Sequence, residues 1–383
     1  MSLPASAAGR LRAFTLSLLM SAAALPAAAA DLVIGQVAPL TGVITGTGEE
    51  YVAGAQAYFA HVNARGGVLG RQIRVVVKDD GYRPELTLER TRELLEQDKP
   101  LALFGFVGTA NVLALTKHKV LSEAGIALLA PYTGAMDLRV PINPYLFHVR
   151  ASYADETAKM VEHLHTVGLR RFAVLYQDDA FGKAGLAGAE AAMQKLGLKS
   201  VATGSYDRTK PEEVDAAVAA IVPANPDAVI MVSVNRASSV FIKKLRAAGS
   251  RAQLFSISVV NFKELLHNAG EAVVRGVGIS QVMPFPYAAS TPVVREFHTL
   301  MAQYAPGKVI SYASLESFIA AKVMVEALRR AGPEPTRQKV LAALDGLKEY
   351  DAGGFKVGFG AGNRNGSRYV EVTVIGADGK LRR

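Results

Sequence analysis

The chain has 383 residues, 43 Lys and Arg against 34 Asp and Glu, a formal net charge of +9, and neither Cys nor Trp. Without cysteine there can be no disulfide, thiolate metal site, Cys nucleophile or lipidated cysteine tethering an exported protein to a membrane. The basic residues are scattered rather than blocked, which reads as a solubilising surface and not as a nucleic-acid footprint.

At the start, Arg10 and Arg12 precede an apolar run over residues 13–25, then Pro26 and Ala28-Ala29-Ala30. The run is too short to span a bilayer and the exit is small-residue rich, so residues 1–30 read as a signal peptide cut before Asp31. The expectation is an exported, non-lipidated protein free in a periplasm. Residues 31–383 suffice for two lobes, each with its own core.

Apolar runs then alternate with amphipathic stretches, the pattern of doubly wound parallel sheets. The first set of strands is predicted at 32–38, 73–78, 101–106 and 126–129. Between them one helix carries Tyr51, Ala55, Phe59 and Val62 on one face, and a second carries Leu88, Thr91 and Leu95. A new set follows: a helix near 154–165, strands at 171–176, 201–206, 228–232, 253–257 and 276–280, and helices at 182–196, 212–221 and 237–248. Pro141 and Pro144 mark a crossing at 141–150, and a second lies at 281–286. Helices are predicted at 292–304, 311–331 and 337–344. The glycine-rich end, 353–366, flanked by 355–357 and 369–375, reads as a hairpin with a third crossing at 349–354. The fold class is therefore α/β: two doubly wound parallel-sheet lobes, 31–150 plus 285–350 and 151–284 plus 351–383, joined by a three-crossing hinge. Ligands bind such sheets at the carboxyl ends of the strands, which here would face one another across a cleft.

Several segments in order resemble the type I periplasmic solute-binding proteins of ABC importers, the leucine/isoleucine/valine-binding family. They are the strand 32–38 running into Pro39-Leu40-Thr41-Gly42, the helix beginning at Gly48 and ending in Asn63…Gly66-Gly67…Gly70, and Lys78-Asp79-Asp80. Further along come Phe104-Gly105-Phe106-Val107-Gly108-Thr109, Glu123-Ala124-Gly125-Ile126 before Pro131, and Phe181-Gly182 opening a helix. The resemblance covers essentially the whole mature chain. It implies a closing trap for a small-molecule ligand, no cofactor and no metal, an ABC permease in the inner membrane as partner, and a monomer.

The site can be argued from residues as well. The chain from Gly105 to Asn111 leaves a strand and enters a helix, so the amides of Gly108, Thr109, Ala110 and Asn111 converge with the positive end of the helix dipole. Thr109 adds a hydroxyl. Such a cradle suits a carboxylate, and in the resembling family a hydroxyl residue here holds the carboxylate of an amino acid. Thr109 or Asn111 capping its own helix is the other reading. Tyr132 and Thr133 should form the next wall. The family places an aromatic residue where Thr47 stands, a tyrosine where Phe181 stands, another aromatic near Asn235, and, at Ser258, the acid that meets the ligand's ammonium. A buried ammonium without an anion is costly, so Ser258 argues for an aromatic or branched carboxylate lacking an α-amino group. Asp178 and Asp179 are either an alternative anion or the cap of the next helix.

Other motifs point elsewhere only by composition. Gly358-Phe359-Gly360-Ala361-Gly362 opens no helix and reads as a hairpin tip, His163 and His165 lie on different helix faces, and Arg150 reads as a hinge brace. No nucleophile-elbow or zinc-protease motif occurs, so an enzyme is not expected. An importer receptor leads, with an amino-acid receptor, a co-receptor for a membrane sensor and an enzyme on the same scaffold as alternatives.

Overall fold

The computed structural model describes residues 1–3 and 30–383, so the basic and apolar residues of the expected leader, 10–29, lie outside the described part. In the first lobe, β1 (Leu32–Ala38), β2 (Ile73–Asp79), β3 (Ala102–Phe104), β4 (Leu128–Leu129) and β5 (Leu146–Phe147) lie in the order β2-β1-β3-β4-β5, all neighbours parallel. β1 is buried along nearly its whole length, as its continuous apolar sequence requires of a central parallel strand, while β2 at the edge is mostly half-buried.

The second lobe holds β6 (Phe172–Gln177), β7 (Ser200–Tyr206), β8 (Ala228–Val232), β9 (Gln253–Ser256) and β10 (Gly278–Gln281), parallel in the order β10-β9-β8-β6-β7. Helices Pro292–Tyr304, Tyr312–Ala331 and Arg337–Asp345 then return to the first lobe, where the first two pack on Thr45–Ala64. Gly54 permits that approach, because a Cβ there would meet the Ser314 carbonyl oxygen at 1.9 Å. Two short strands follow, β11 (Tyr350–Asp351) and β12 (Lys356–Val357), and then β13 (Glu371–Ile375) and β14 (Leu381–Arg382). The last two extend the second sheet antiparallel beyond β10.

One expectation is refined and another corrected. The second helix, Pro84–Glu93, ends in a wider turn, Leu94–Asp98, closed by Lys99 N donating to Leu94 O at 3.0 Å. Thr87, Thr91 and Leu94 are the most buried positions of this stretch, and Leu88 and Leu95, half-buried, pack against the same core. At the end of the chain, 355–357 and 369–375 do not form a hairpin with each other. β12 pairs with β11 around Gly353-Gly354, and β13 pairs with β10. Residues 358–366 stay on the first lobe: His148 N donates to Arg364 O at 2.9 Å, and the rings of Phe147 and Phe359 meet edge to face at 5.3 Å. The last crossing therefore lies at 367–370, not at 349–354. Among the described residues the chain crosses between lobes at 148–152, 282–291 and 367–370.

Candidate functional site

The carboxyl ends of both sheets face one another, and the first-lobe order turns at β1/β3 as the second-lobe order turns at β6/β8. These reversals splay the following loops apart and leave room for a ligand. Around one chamber Thr47 follows β1, Tyr82 follows β2, Val107, Gly108 and Thr109 follow β3, Tyr132 follows β4 and Tyr153 follows β5. Phe181, Val234 and Val259 close it from the second lobe. None of these side chains is charged at neutral pH. Burial pushes the phenols of Tyr82, Tyr132 and Tyr153 above their usual range, so they remain neutral hydroxyls.

Thr109 is the first residue of the helix Thr109–Lys117, whose N-terminus has no side-chain cap. Its buried hydroxyl lies 2.6 Å from that of Thr133, which comes from the next loop, accepts from Ala135 N and, contrary to expectation, stands behind Thr109 and not on the chamber wall. Capping is therefore not its role, and the first amides of the helix lack intrahelical acceptors. Gly108 enters at φ 105°, and a Cβ there would meet Asn111 Oδ1 at 2.6 Å and Tyr82 Cε2 at 2.7 Å. Only glycine lets the backbone come this close beneath Tyr82.

Not every expected residue reaches the cavity. Ala110 brings no side chain to its wall and offers only its amide. Asn111 turns inward: Nδ2 donates to Thr87 Oγ1 at 2.8 Å and to Asp80 Oδ2 at 3.2 Å. Asn235 spends Oδ1 on the Asn261 amide at 2.8 Å, leaving its neighbour Val234 on the wall. Asp179 caps Ala180–Lys195, accepting from Phe181 N at 2.9 Å and Gly182 N at 3.2 Å, and Asp178 pairs with Lys183 at 2.9 Å on the surface. Neither aspartate lines this chamber.

A second chamber continues from the first, sharing Thr47, Tyr132 and Val259. Glu50, Ser258, Asn261, Gln281, Tyr287 and Ser311 are among its walls. Ser258 thus borders the cleft, but its hydroxyl donates to Glu156 Oε1 at 3.0 Å and accepts from Arg150 Nη2.

Behind Ser258 lies the hinge cluster. Arg150, fully buried, sits 4.5 Å over the Tyr132 ring, 3.6 Å from Glu156 on the second lobe and 3.9 Å from Glu316 on the first. Burial raises the Glu156 carboxyl and pushes Glu316 up to about 7, each partly offset by Arg150. Across the cleft, Arg208 is held by Asp179 at 2.9 Å. Its Nη2 donates to the Tyr82 carbonyl at 2.6 Å and to Asn111 Oδ1 at 3.2 Å, with the guanidinium 4.0 Å over the Tyr82 ring. The two lobes are thus bonded through side chains as well as through the hinge.

The periplasmic binding protein profile matches residues 31–380. A substrate-binding periplasmic protein from Ralstonia solanacearum superposes with a TM-score of 0.88 at 39% identity, covering 92% of this chain and 99% of that one. The chain belongs to the type I periplasmic binding proteins, in the leucine/isoleucine/valine-binding family. A possible leucine/isoleucine/valine-binding protein from Rhodopirellula baltica is similar to this binding protein at TM-score 0.88 and 28% identity, covering 94% and 98% of the two chains. An amino acid binding protein of Pseudomonas aeruginosa is 27% identical over 306 residues, 77% of this chain and 79% of its own. Among the described residues no helix is long and apolar enough to cross a membrane.

Tyr82, Tyr153, Glu50, Arg208 and Gln281 were not expected in the cleft. Tyr82 and Tyr153 follow strand ends, so the carboxyl-edge rule could have found them. Glu50 sits one helical turn beyond Thr47, which places it on the same face.

Proposed function

We propose that this is the receptor of an ABC importer, exported with cleavage before Asp31. It captures a small organic carboxylate between its lobes and presents the closed form to an inner-membrane permease. It acts as a monomer and performs no chemistry on the ligand. The observation that carries the reading is the first chamber, an aromatic pocket without ionic side chains whose one anion-seeking feature is the uncapped helix start at Thr109. A carboxylate placed there would meet backbone amides and the Thr109 hydroxyl, which Thr133 backs from behind, while Tyr82, Tyr132, Tyr153 and Phe181 surround an aromatic or branched body. No acid lines this chamber, and Ser258, on the wall of the adjoining one, is committed to Glu156 and Arg150.

A ligand at a hundredfold excess over its dissociation constant stabilises the fold by about 2.7 kcal/mol, so a thermal-shift screen is a direct test. Aromatic and branched acids without an α-amino group should raise the melting temperature, and leucine, isoleucine, valine and glutamate should do little. Thr109→Ala should weaken a bound acid by about 1.5–3 kcal/mol, roughly ten- to a hundredfold. An unchanged affinity would displace the anchor. The second reading, an amino-acid receptor, is favoured by the name of the Pseudomonas aeruginosa relative, and a strong shift with any of those four amino acids would select it.

A further inference from the structure

The second chamber differs from the first in the kind of polar group it leaves open. Glu50, one turn along the helix Thr45–Ala64, brings the one carboxylate among its lining side chains. Its hydrogen bond across the cleft comes from a neutral group, Asn261 Nδ2, at 2.9 Å, and no Lys or Arg among the described residues forms an ion pair with it.

Gln281, at the end of β10, is 1% exposed and reaches the same wall. The orientation of its amide follows from its neighbour. Thr373 Oγ1 donates its proton to the Ile279 carbonyl at 3.0 Å, so toward Gln281 it must accept, and Gln281 Nε2 is the donor at 3.4 Å. The side-chain oxygen of Gln281 is then a buried acceptor without a partner. A buried acceptor left unpaired is costly, and one in a ligand cleft points to a donor that arrives with the ligand. The amide of Asn261 is already spent on Glu50. The Tyr312 hydroxyl donates to Glu371 Oε1 at 3.5 Å, Ser311 is a second neutral partner of Glu50, and the Tyr287 hydroxyl can donate or accept, so none of them favours an anion over a cation. The nearest ammonium, Lys263, stacks 5.0 Å from the Tyr287 ring on an exposed helix start, and Glu264 beside it has the opposite charge.

We propose that this chamber is an ammonium subsite, in which the Glu50 carboxylate and the Gln281 side-chain oxygen hold a protonated primary amine at the far end of the ligand. The inference rests on the carboxylate seat at Thr109, and it refines the ligand to an acid whose amine is remote from its carboxylate. The first chamber, beside the carboxylate seat, has no acid among its lining side chains, so an amine that reaches Glu50 is carried away from the seated carboxylate. Ser258, where the resembling family has its acid, lines this same chamber, and Glu50 brings a carboxylate to it from the opposite lobe.

The test is calorimetry with the ω-amino derivatives of butanoic, pentanoic and hexanoic acids, each against the plain acid, on the parent protein and on Glu50→Gln, Asn261→Ala and Thr109→Ala. Glutamine at 50 keeps an oxygen for Asn261 but removes the charge, so it separates recognition from mere bridging of the lobes. At least one amino-terminated acid should bind about ten- to a hundredfold more tightly than its plain counterpart, and Glu50→Gln should erase that advantage while leaving the plain acid within about twofold. Asn261→Ala should weaken both kinds alike. If no amino acid of the series outbinds its plain counterpart, or if Glu50→Gln weakens both equally, the subsite is refuted. Thr109→Ala tells the two readings apart. An amine advantage that vanishes in Glu50→Gln, together with indifference to Thr109→Ala, would uphold the ammonium subsite and refute the carboxylate seat.

Discussion

At the hinge the buried polar groups are ionic and answer one another: Arg150 stands between Glu156 and Glu316, and Ser258 and Ser280 complete the shell, Ser280 donating to Glu156 at 2.6 Å. In the adjoining first chamber, walled by Tyr82, Thr109, Tyr132, Tyr153 and Phe181, the polar groups are neutral hydroxyls and free amides. Both regions are buried and they share the Tyr132 ring, which Arg150 stacks against from behind. The difference separates two tasks. Full charges, expensive to bury unless paired, are spent on the chain segments that join the lobes, while dipoles that need no counter-ion are left for the ligand.

The largest test breaks the ionic side. Arg150→Met keeps most of the stem's volume but leaves two buried carboxylates without their cation, and should lower unfolding free energy by about 3–5 kcal/mol in urea titration. A change under about 1 kcal/mol would mean that the cluster does not hold the hinge. The next test sharpens it through pH. Because Glu316 titrates at about 7 in the folded protein and near 4.5 when unfolded, the folded state holds its proton more tightly. The corresponding stability is complete below about pH 4.5, is lost as pH rises to 7, and changes no further above that. The loss should be roughly 3 kcal/mol at most, and Glu316→Gln should flatten that part of the profile. An undiminished slope in the variant would assign the titration to another group.

The smallest effect lies on the cleft rim. Arg208→Ala removes the bonds to the Tyr82 carbonyl and Asn111 that exist only when the lobes meet. It should lower ligand affinity by about 1 kcal/mol, roughly fivefold. Small-angle scattering should show a more open ligand-free protein. An unchanged scattering profile with unchanged affinity would leave closure to the hinge alone.

Much of the fold was legible because it is local. The apolar run from Leu32 to Ala38 and the spacing of Tyr51, Ala55, Phe59 and Val62 state their own strand and helix, since each depends on residues within a few positions. The places of Thr47, Gly108, Thr109, Tyr132 and Phe181 were legible for a related reason: loops at the carboxyl ends of parallel strands must border the cleft. The wide turn after Glu93 was not legible, because a single extra residue per turn leaves composition unchanged. The partner of 369–375 was not legible either, because strand pairing is settled by which edge is free, and β10 offered one.

What the sequence by itself determined is therefore the order of most elements, the two-lobed plan and the family. Tertiary structure alone decided which polar side chains remain open in the cleft. Asn111 and Asn235 look in sequence like ligand-facing residues, yet Thr87, Asp80 and the Asn261 backbone claim them. Glu50 and Gln281, more than two hundred residues apart, come to line one chamber only when the lobes meet. A hydrogen bond depends on atoms within about 3 Å, whatever their separation along the chain, so the unspent groups that define a ligand are visible only after every other pairing has been made.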